Sequence, residues 1–420
     1  MSEAGAGRGP WRLLAHGTAF RSLWAGQAAS VLGDRVSGLA LPLTAVLVLH
    51  AGPAAMGMLT AANLLPFLGL SLPVGAWVDR RGRRRHLMMW ADVARLALTL
   101  SIPLAFAANR LSLAQLWAVA ALLGVAQVVF DLSYPGVLAA TVPEADYTDA
   151  NTLLQGSRAA SRLVGPSAAG VLVQAVSAPV ALAADAASFA ASAWSLARLR
   201  IQEPPGATAA PGDFTAGLRL IWAPGWLRRI LLALSTVNFF NYMFATLFIL
   251  YAAADLHVPP ARLGLILAVG AVGAVLGALA AGPLVRRWGF PRALLLGVAL
   301  FAGPLVLVPI ASGAALAIQG WLALAELGSG FGVMVLDVSF GSWSLALVPG
   351  HLRGRAAGAF SQVNYGIRPL GALAGGFLPA LVGVHGTLWV AAVGACGGCA
   401  WLWPALSRER AAAVTGDRAG

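Results

Sequence analysis

Lysine is absent from this chain of 420 residues, and all 28 basic positions are arginine. A nucleotide-binding P-loop needs a lysine on the phosphates, and Schiff-base cofactors need one as their attachment point. ATP-driven work by this chain alone, and retinal or pyridoxal chemistry, are therefore excluded, and no cofactor is expected. Cysteine is almost absent. The two present, Cys396 and Cys399, form a C-x-x-C inside an apolar stretch beside Gly394, Gly397 and Gly398. They read as small residues that let helices approach, rather than as a redox or metal motif. The six histidines are scattered, mostly near turns, so no metal site is expected. Charge is scarce as well: 10% of residues are charged against 59% hydrophobic, far too apolar for a soluble protein of this size.

What is present is a succession of apolar runs, each about as long as the roughly 20 residues that cross a bilayer. Twelve spans are expected, at about 22–49, 56–78, 87–108, 113–139, 153–177, 179–197, 230–252, 260–285, 293–311, 314–346, 357–381 and 384–405. Arg158, Arg162 and Asp185 interrupt the fifth and sixth. Backbone polar groups must be satisfied inside lipid, and strands of a barrel would show alternation over half this length, so the fold class is all-α and polytopic. No stretch is left for a sizeable soluble domain. The first span carries Asp34 and Arg35 and is too long for a cleaved signal peptide, so it is expected to remain as a helix.

Arginine sets the orientation. Arg8, Arg12 and Arg21 precede the first span; Arg80, Arg81, Arg83, Arg84 and Arg85 fill the turn after the second. Arg198, Arg200, Arg219, Arg228, Arg229, Arg286, Arg287, Arg292, Arg353, Arg355, Arg408, Arg410 and Arg418 continue on the same side, making 21 of the 28. The opposite side holds Arg110 and Arg262. The positive-inside rule then puts both termini in the cytoplasm of a plasma (inner) membrane. The net charge of +12 is explained by topology and anionic lipid, and gives no reason to expect nucleic acid as a partner.

The chain also repeats itself. FDLSYPGVLAATVP from Phe130 matches LDVSFGSWSLALVP from Leu336 at a shift of 206, with Asp131 on Asp337 and Ser133 on Ser339. The same shift lays SRLVGPSAAG from Ser161 on IRPLGALAGG from Ile367, matching Arg162 with Arg368 and Gly165 with Gly371. With one residue more, GAWVDRRGRRR from Gly75 falls on GPLVRRWGFPR from Gly282, and Asp34 on Asn241. A six-helix unit is used twice, in parallel. The expected organisation is residues 1–197 as the first half, 198–228 as a cytoplasmic linker with an amphipathic helix around Leu218 to Trp226, 229–406 as the second half, and 407–420 as a cytoplasmic tail.

These residues resemble the major facilitator superfamily, and within it the branch of the enterobactin exporter and macrolide efflux proteins. GAWVDRRGRRR is similar to the superfamily's loop signature between helices two and three. FRSLWAGQAASVLGDR from Phe20, ADVAR from Ala91, DANTLLQ from Asp149 and ADAASF from Ala184 are similar to that branch's helix one, three, five and six patterns. The resemblance covers about residues 18 to 405 and implies a non-enzymatic, gradient-driven transporter that needs no oligomer. The cargo it implies is a small natural product, antibiotic or siderophore-like compound exported against protons. Uptake or facilitated movement of a metabolite is the alternative within transport, and a membrane receptor or sensor is the alternative outside it. The helix-four arginine motif of many drug/proton antiporters is not matched, and the helix-five motif survives only as Gly165, Pro166 and Gly170.

Site residues follow from both sources. In the loop signature, Gly75, Asp79, Arg80, Gly82 and Arg83 are candidates for a latch: Asp79 suits the positive end of a helix, and Gly75 permits close helix approach. Arg84 and Arg85 read rather as headgroup anchors. The second copy has Arg286 in place of Asp79, so an acid-based latch is one-sided. Inside the spans, charges are costly and most should face protein or water. Asp92 and Arg95, three apart on one helix, can pair, whereas Asp34 and Arg35 point about 100° apart and need partners elsewhere. Asp34 and Glu326 lie near mid-span. Asp131 and Asp337 lie nearer the cytoplasmic ends, where loop arginines are expected to bind them as structural or gating contacts. The resemblance implies that helices one, four, seven and ten line the cargo path. That puts Asp34, Asn238, Asn241 and Glu326 on or near its wall, with Arg162 and Arg368 as further candidates. Glu326 has no cation among its same-face neighbours Leu322, Ala323, Ser329 and Gly330, and is favoured over Asp34 as a proton carrier. A fixed ion pair with an arginine is the alternative for either acid.

Overall fold

The computed structural model describes residues 10–203, 222, 225–347 and 353–403. The expected helix around Leu218 to Trp226 and the 407–420 tail fall largely or wholly outside the described residues. After a short helix at Trp11–His16, twelve long helices follow: α1 Thr18–Leu43, α2 Pro53–Arg81, α3 Arg84–Ala107, α4 Leu113–Thr141, α5 Tyr147–Val176 and α6 Ala178–Arg198, then α7 Trp226–Leu250, α8 Pro260–Trp288, α9 Phe290–Ala302, α10 Ala315–Leu347, α11 Arg353–Phe377 and α12 Pro379–Cys396. No strand occurs among the described residues. The protein is an all-α polytopic membrane protein.

Ten of the helices are long and apolar enough to cross a membrane, among the described residues. The other two are α5 and α11, which occupy matching places in the two repeats. At 30 and 25 residues both exceed the hydrocarbon thickness of about 30 Å, at about 1.5 Å per residue. Their low hydropathy comes from side chains such as Arg158, Arg162, Asn364 and Arg368. A helix of this kind must turn its polar side to protein or water. The sixth span is less interrupted than its Asp185 suggests, because that carboxylate is buried and bonded to serines.

The repeat is written into the backbone. A π-turn ends α1 at Thr44–Val48 and another ends α7 at Tyr251–Asp255, 207 positions on. His50 and His257 both take a positive φ, 50° and 53°, at the same shift. Gly82 and Gly289 follow at 207, and Ser177 and Gly383 at 206. These are the two shifts that the sequence motifs show, so a one-residue difference between the halves falls after Gly289 and before Leu336. A positive φ at histidine and serine is uncommon. Its recurrence at matched positions marks two copies of one chain path.

Two compact units emerge, one formed by Met1–Leu49 with Leu65–Ala210 and the other by His50–Leu64 with Pro211–Gly420. Thus α2 is shared. Its first turns pack in the second unit, where Gly57 meets Gly376 of α11 with no room for a Cβ on either.

Within the first unit α1 and α6 approach closely: Gly26 lies against Ser192 and Ser195, and Gly33 against Asp185 and Ser188. The Ser195 hydroxyl donates to the Ser22 carbonyl at 2.8 Å, tying the pair at its end. The second unit solves the same contact the other way round. There the glycines are on and just beyond α12, with Gly394 receiving the Phe240 ring and Gly398 receiving Val237. Between α8 and α10, Gly270, Gly273, Gly277 and Gly330 let the backbones touch, the small-residue packing expected where lipid removes any hydrophobic drive between helices. Cys396 and Cys399 are free thiols, and Cys399 packs against the apolar cluster of Val237, Val298 and Leu402.

Candidate functional site

A polar cavity of about 250 Å³ lies inside the first unit. Its walls follow helical periodicity. From α1 come Gln27, Ser30, Val31, Asp34 and Arg35; from α4 come Gln127, Phe130, Asp131 and Tyr134; both sets fall on one face of their helix. The α5 residues Arg158 and Arg162 are one turn apart, and α3 adds Arg95.

The cavity holds two carboxylates, Asp34 and Asp131, and four guanidinium groups. Arg95 has an acid and two rings around it, although its Nε and Nη2 make no hydrogen bond. Its guanidinium is buried, lies 3.5 Å from Asp92, and is held between the rings of Phe130 and Phe189 at 4.3 and 4.9 Å. A buried pair with two aromatic faces fixes a helix register more than it adds stability. Asp131 accepts a hydrogen bond from the Gln127 amide at 2.8 Å. This differs from the expectation that loop arginines would hold Asp131: one turn of α4 places it on the cavity wall instead. Asp185 lies outside the cavity, taking hydrogen bonds from Ser37 and Ser188. Arg158 covers the Tyr134 ring at 5.9 Å. Arg35 threads its first side-chain carbons into the notch left by Gly165, and its Nε is buried with no hydrogen-bond partner. Ion pairs within 4.0 Å among the described residues are Arg95 with Asp92 and Arg84 with Asp79. The near balance of acids and arginines in the spans therefore does not resolve into mutual pairing.

The second unit carries a matching arrangement built on a single arginine. Arg368, the counterpart of Arg162, lies over the rings of Tyr365 and Tyr242, at 4.1 and 5.3 Å, and donates to Asn364 at 3.2 Å and to the Tyr242 hydroxyl at 3.4 Å. Tyr242 stands where the first unit has Arg35, 207 positions earlier. Asn238 donates to the Leu234 carbonyl of its own helix at 2.9 Å, and Asn241 is half-buried on α7. Glu326 points from α10 into the α8 contact, where a Cβ on Gly270 would lie 2.9 Å from its Oε2. Asp337, the counterpart of Asp131, is exposed on α10.

At the loop signature, Arg84 donates to Asp79 Oδ1 at 2.9 Å and its side chain lies across Gly136 of α4. Asp79 thus meets Arg84, expected among headgroups, and Arg83 serves as the N-cap of α3. Gly82 takes the positive φ that makes the turn, and a Cβ on Gly75 would lie 3.9 Å from Leu132 of α4. Arg85, expected among headgroups, instead donates to the carbonyls of Leu196, Ala197 and Leu199 at 3.3, 3.3 and 2.6 Å, and its backbone N–H donates to Glu203. It closes the C-terminal end of α6, whose last carbonyls lack helical partners.

The sequence profile of the Major Facilitator Superfamily matches residues 23–372 and 231–419. The chain belongs to this superfamily. Among curated relatives it is similar to the multidrug efflux pump Tap of Mycobacterium tuberculosis (strain ATCC 25618 / H37Rv), at 29% identity over 385 residues, 88% of this chain and 89% of that one. It is also similar to the uncharacterized MFS-type transporter YfiS of Bacillus subtilis (strain 168), at 27% over 379 residues, 86% and 87% of the two chains. Among solved structures, a bacterial homologue of the iron transporter ferroportin superposes with a TM-score of 0.72 at 16% identity, covering 92% of this chain and 98% of that one. At that identity the likeness shows the fold alone. The protein is a membrane transporter of the major facilitator type.

Several residues of this superfamily member's cavity carry no charge and escaped the motif reading. Gln27, Ser30, Gln127 and Tyr134 are found by extending the helical stripe three, four and seven positions from Asp34 and Asp131. Tyr242, Asn364 and Tyr365 lie four positions or fewer from Asn241 and Arg368, and only the repeat draws attention to Tyr242.

Proposed function

We propose that this transporter exports a small natural product, antibiotic or siderophore-like compound from the cytoplasm in exchange for protons, with both termini cytoplasmic and no need of an oligomer. The observation that carries the reading is the cavity in which Asp34 and Asp131 meet Arg35, Arg158 and Arg162 inside an otherwise apolar bundle. Charges in lipid-embedded helices are costly and belong to solute or proton paths. The likeness to the Tap efflux pump supports the outward direction. Asp34 and Glu326 are the proton-carrying candidates, one from each unit. Gly75, Asp79, Arg80, Gly82 and Arg83, with Arg84 paired to Asp79, form the cytoplasmic latch that the loop signature implies.

Everted vesicles with an imposed proton gradient test all parts together. Efflux pumps loaded in this way accumulate cargo only while the gradient lasts, and adding cargo dissipates the gradient. Accumulation insensitive to a protonophore would remove the coupling. Accumulation in right-side-out vesicles alone would make the protein an uptake system.

A further inference from the structure

The first unit's cavity holds more cation than its own groups neutralise. Arg35, Arg158 and Arg162 reach it from α1 and α5, and among the described residues no carboxylate oxygen lies within 4.0 Å of any of them. Arg35 is within electrostatic range of both Arg162 and Asp34. Three arginines against the two carboxylates of Asp34 and Asp131 leave an excess of like charge, which is unfavourable unless a further anion lies with it. Five polar atoms of the lining residues, Gln27 Nε2, Arg35 Nε, Arg95 Nε and Nη2 and the Tyr134 hydroxyl, are buried without a hydrogen-bond partner. Orphaned donors of this kind in a folded protein call for an acceptor.

The second repeat supplies the comparison. At the matching place Arg368 faces Tyr242 instead of a second arginine; its two terminal nitrogens donate to the Tyr242 hydroxyl and the Asn364 oxygen and it lies over the Tyr365 ring, while its Nε has no hydrogen-bond partner. One chain path thus carries two polar chemistries: a lone arginine among tyrosines and an asparagine in the second unit, and a cluster of three arginines in the first. Shared packing does not explain the difference.

We propose that Arg35 and Arg162 form an anion subsite that takes a carboxylate or phosphate group of the cargo. The planar guanidinium forks match such oxyanions in two-point hydrogen bonds, and Tyr134 adds a hydroxyl donor beside them. Arg158, stacked on Tyr134, raises the local positive potential. A cavity of about 250 Å³ is at the small end of ligand pockets, so it receives the acidic end of a cargo rather than the whole. This assignment rests on the cargo-path reading of the same cavity.

The test uses full-length protein in nanodiscs, with salicylate and phenyl phosphate as acidic probes and salicylamide as the neutral match. Binding is read by intrinsic fluorescence and by thermal protection. The acids should bind at least about tenfold more tightly than the amide. Arg162→Gln should erase that preference, Arg162→Lys should keep part of it, and the exposed Arg200→Gln should leave it unchanged. Arg35→Gln should behave as Arg162→Gln does; if it does not fold, the exposed Arg162 position still decides. Equal binding of acid and amide, or an undiminished preference in Arg162→Gln, overturns the proposal. So does competition by inorganic phosphate at the concentration at which phenyl phosphate binds, which marks a free-ion site. Loss of salicylate binding in phosphatidylglycerol discs but not in phosphatidylcholine discs marks a headgroup site and overturns it equally. Acid-selective binding in a protein that exports nothing against a proton gradient would sink the export reading and leave the subsite in place.

Discussion

Arg84 reaches back over the turn to Asp79, its guanidinium 2.9 Å from the carboxylate, while its stem lies across Gly136. The pair is partly exposed, so its worth to stability is small, on the order of 0.2–1 kcal/mol. Its position matters more, because it joins the end of α2, the start of α3 and the C-terminal turns of α4. Asp79→Asn and Arg84→Gln should each slow transport by a similar factor, on the order of tenfold, at equal membrane abundance, and the double variant should be no worse than either. Initial rates in everted vesicles measure this. Additive losses would mean that the two residues act separately.

Arg85 does different work. Its three carbonyl contacts at the end of α6 belong to one unit and need not change during a transport cycle. Arg85→Gln should lower thermal stability by about 1 kcal/mol and slow transport less than Asp79→Asn does. Equal transport losses for the two variants would return Arg84 and Arg85 to the role of headgroup anchors.

The helices were legible because lipid imposes a length and forbids unsatisfied backbone, and the repeat was legible because it preserves turns as well as motifs. Pairing was not. Asp92 and Arg95 share a helix and a face, and spacing alone joins them. Asp131 had an apparent depth in its span but no visible partner, since Gln127 is neutral and carries no signal until α4 is seen edge-on. Arg84 and Arg85 look alike in sequence, yet a 100° turn of the helix sends one to Asp79 and the other to α6. Which of several arginines meets an acid is decided by helix rotation, and a single sequence does not record that.

Glycine packing gives a sharper stability test. A Cβ on Gly330 would overlap the Gly270 carbonyl oxygen, which is backbone and has no rotamer to change. Gly330→Ala should therefore push α8 and α10 apart and destabilise the protein by about 1–3 kcal/mol. Gly38 has open space on its Cβ side, so Gly38→Ala should stay within about 1 kcal/mol of the parent or be more stable. Thermal unfolding of the two variants in one detergent compares them directly, and equal midpoints would deny the close contact.

Topology can be settled with single cysteines in a chain whose Cys396 and Cys399 are replaced by alanine. Asn109 is exposed in the turn between α3 and α4, and Gln202 is exposed just beyond α6. With 21 of 28 arginines on the Gln202 side, an impermeant maleimide added to intact cells should label Asn109→Cys and spare Gln202→Cys. The reverse pattern would invert the protein and the direction of transport with it.

Coupling is the last question, and Glu326 answers it most directly. Its carboxylate is packed against Gly270 at the α8–α10 contact, and its same-face neighbours Leu322, Ala323, Ser329 and Gly330 bring no cation. Among the described residues no arginine lies within 4.0 Å of it, so the fixed-pair alternative has no partner in this arrangement. A carboxyl group in such a place can be held neutral at one stage of a cycle and released as an anion at another, which is what proton exchange requires. Glu326→Gln keeps the shape and the fit to Gly270 but has no proton to cycle. It should abolish gradient-driven accumulation while leaving cargo binding and thermal stability close to the parent. Gly270→Ala should disturb the same step for a steric reason, since its methyl group would press on Oε2, and should lower stability as well. Two measurements separate the cases: accumulation under an imposed proton gradient, and cargo exchange with no gradient. Loss of the first with retention of the second assigns Glu326 to coupling. If Glu326→Gln still concentrates cargo against a gradient, the proton is carried elsewhere, and Asp34, on the cavity wall beside Arg35, becomes the residue to replace.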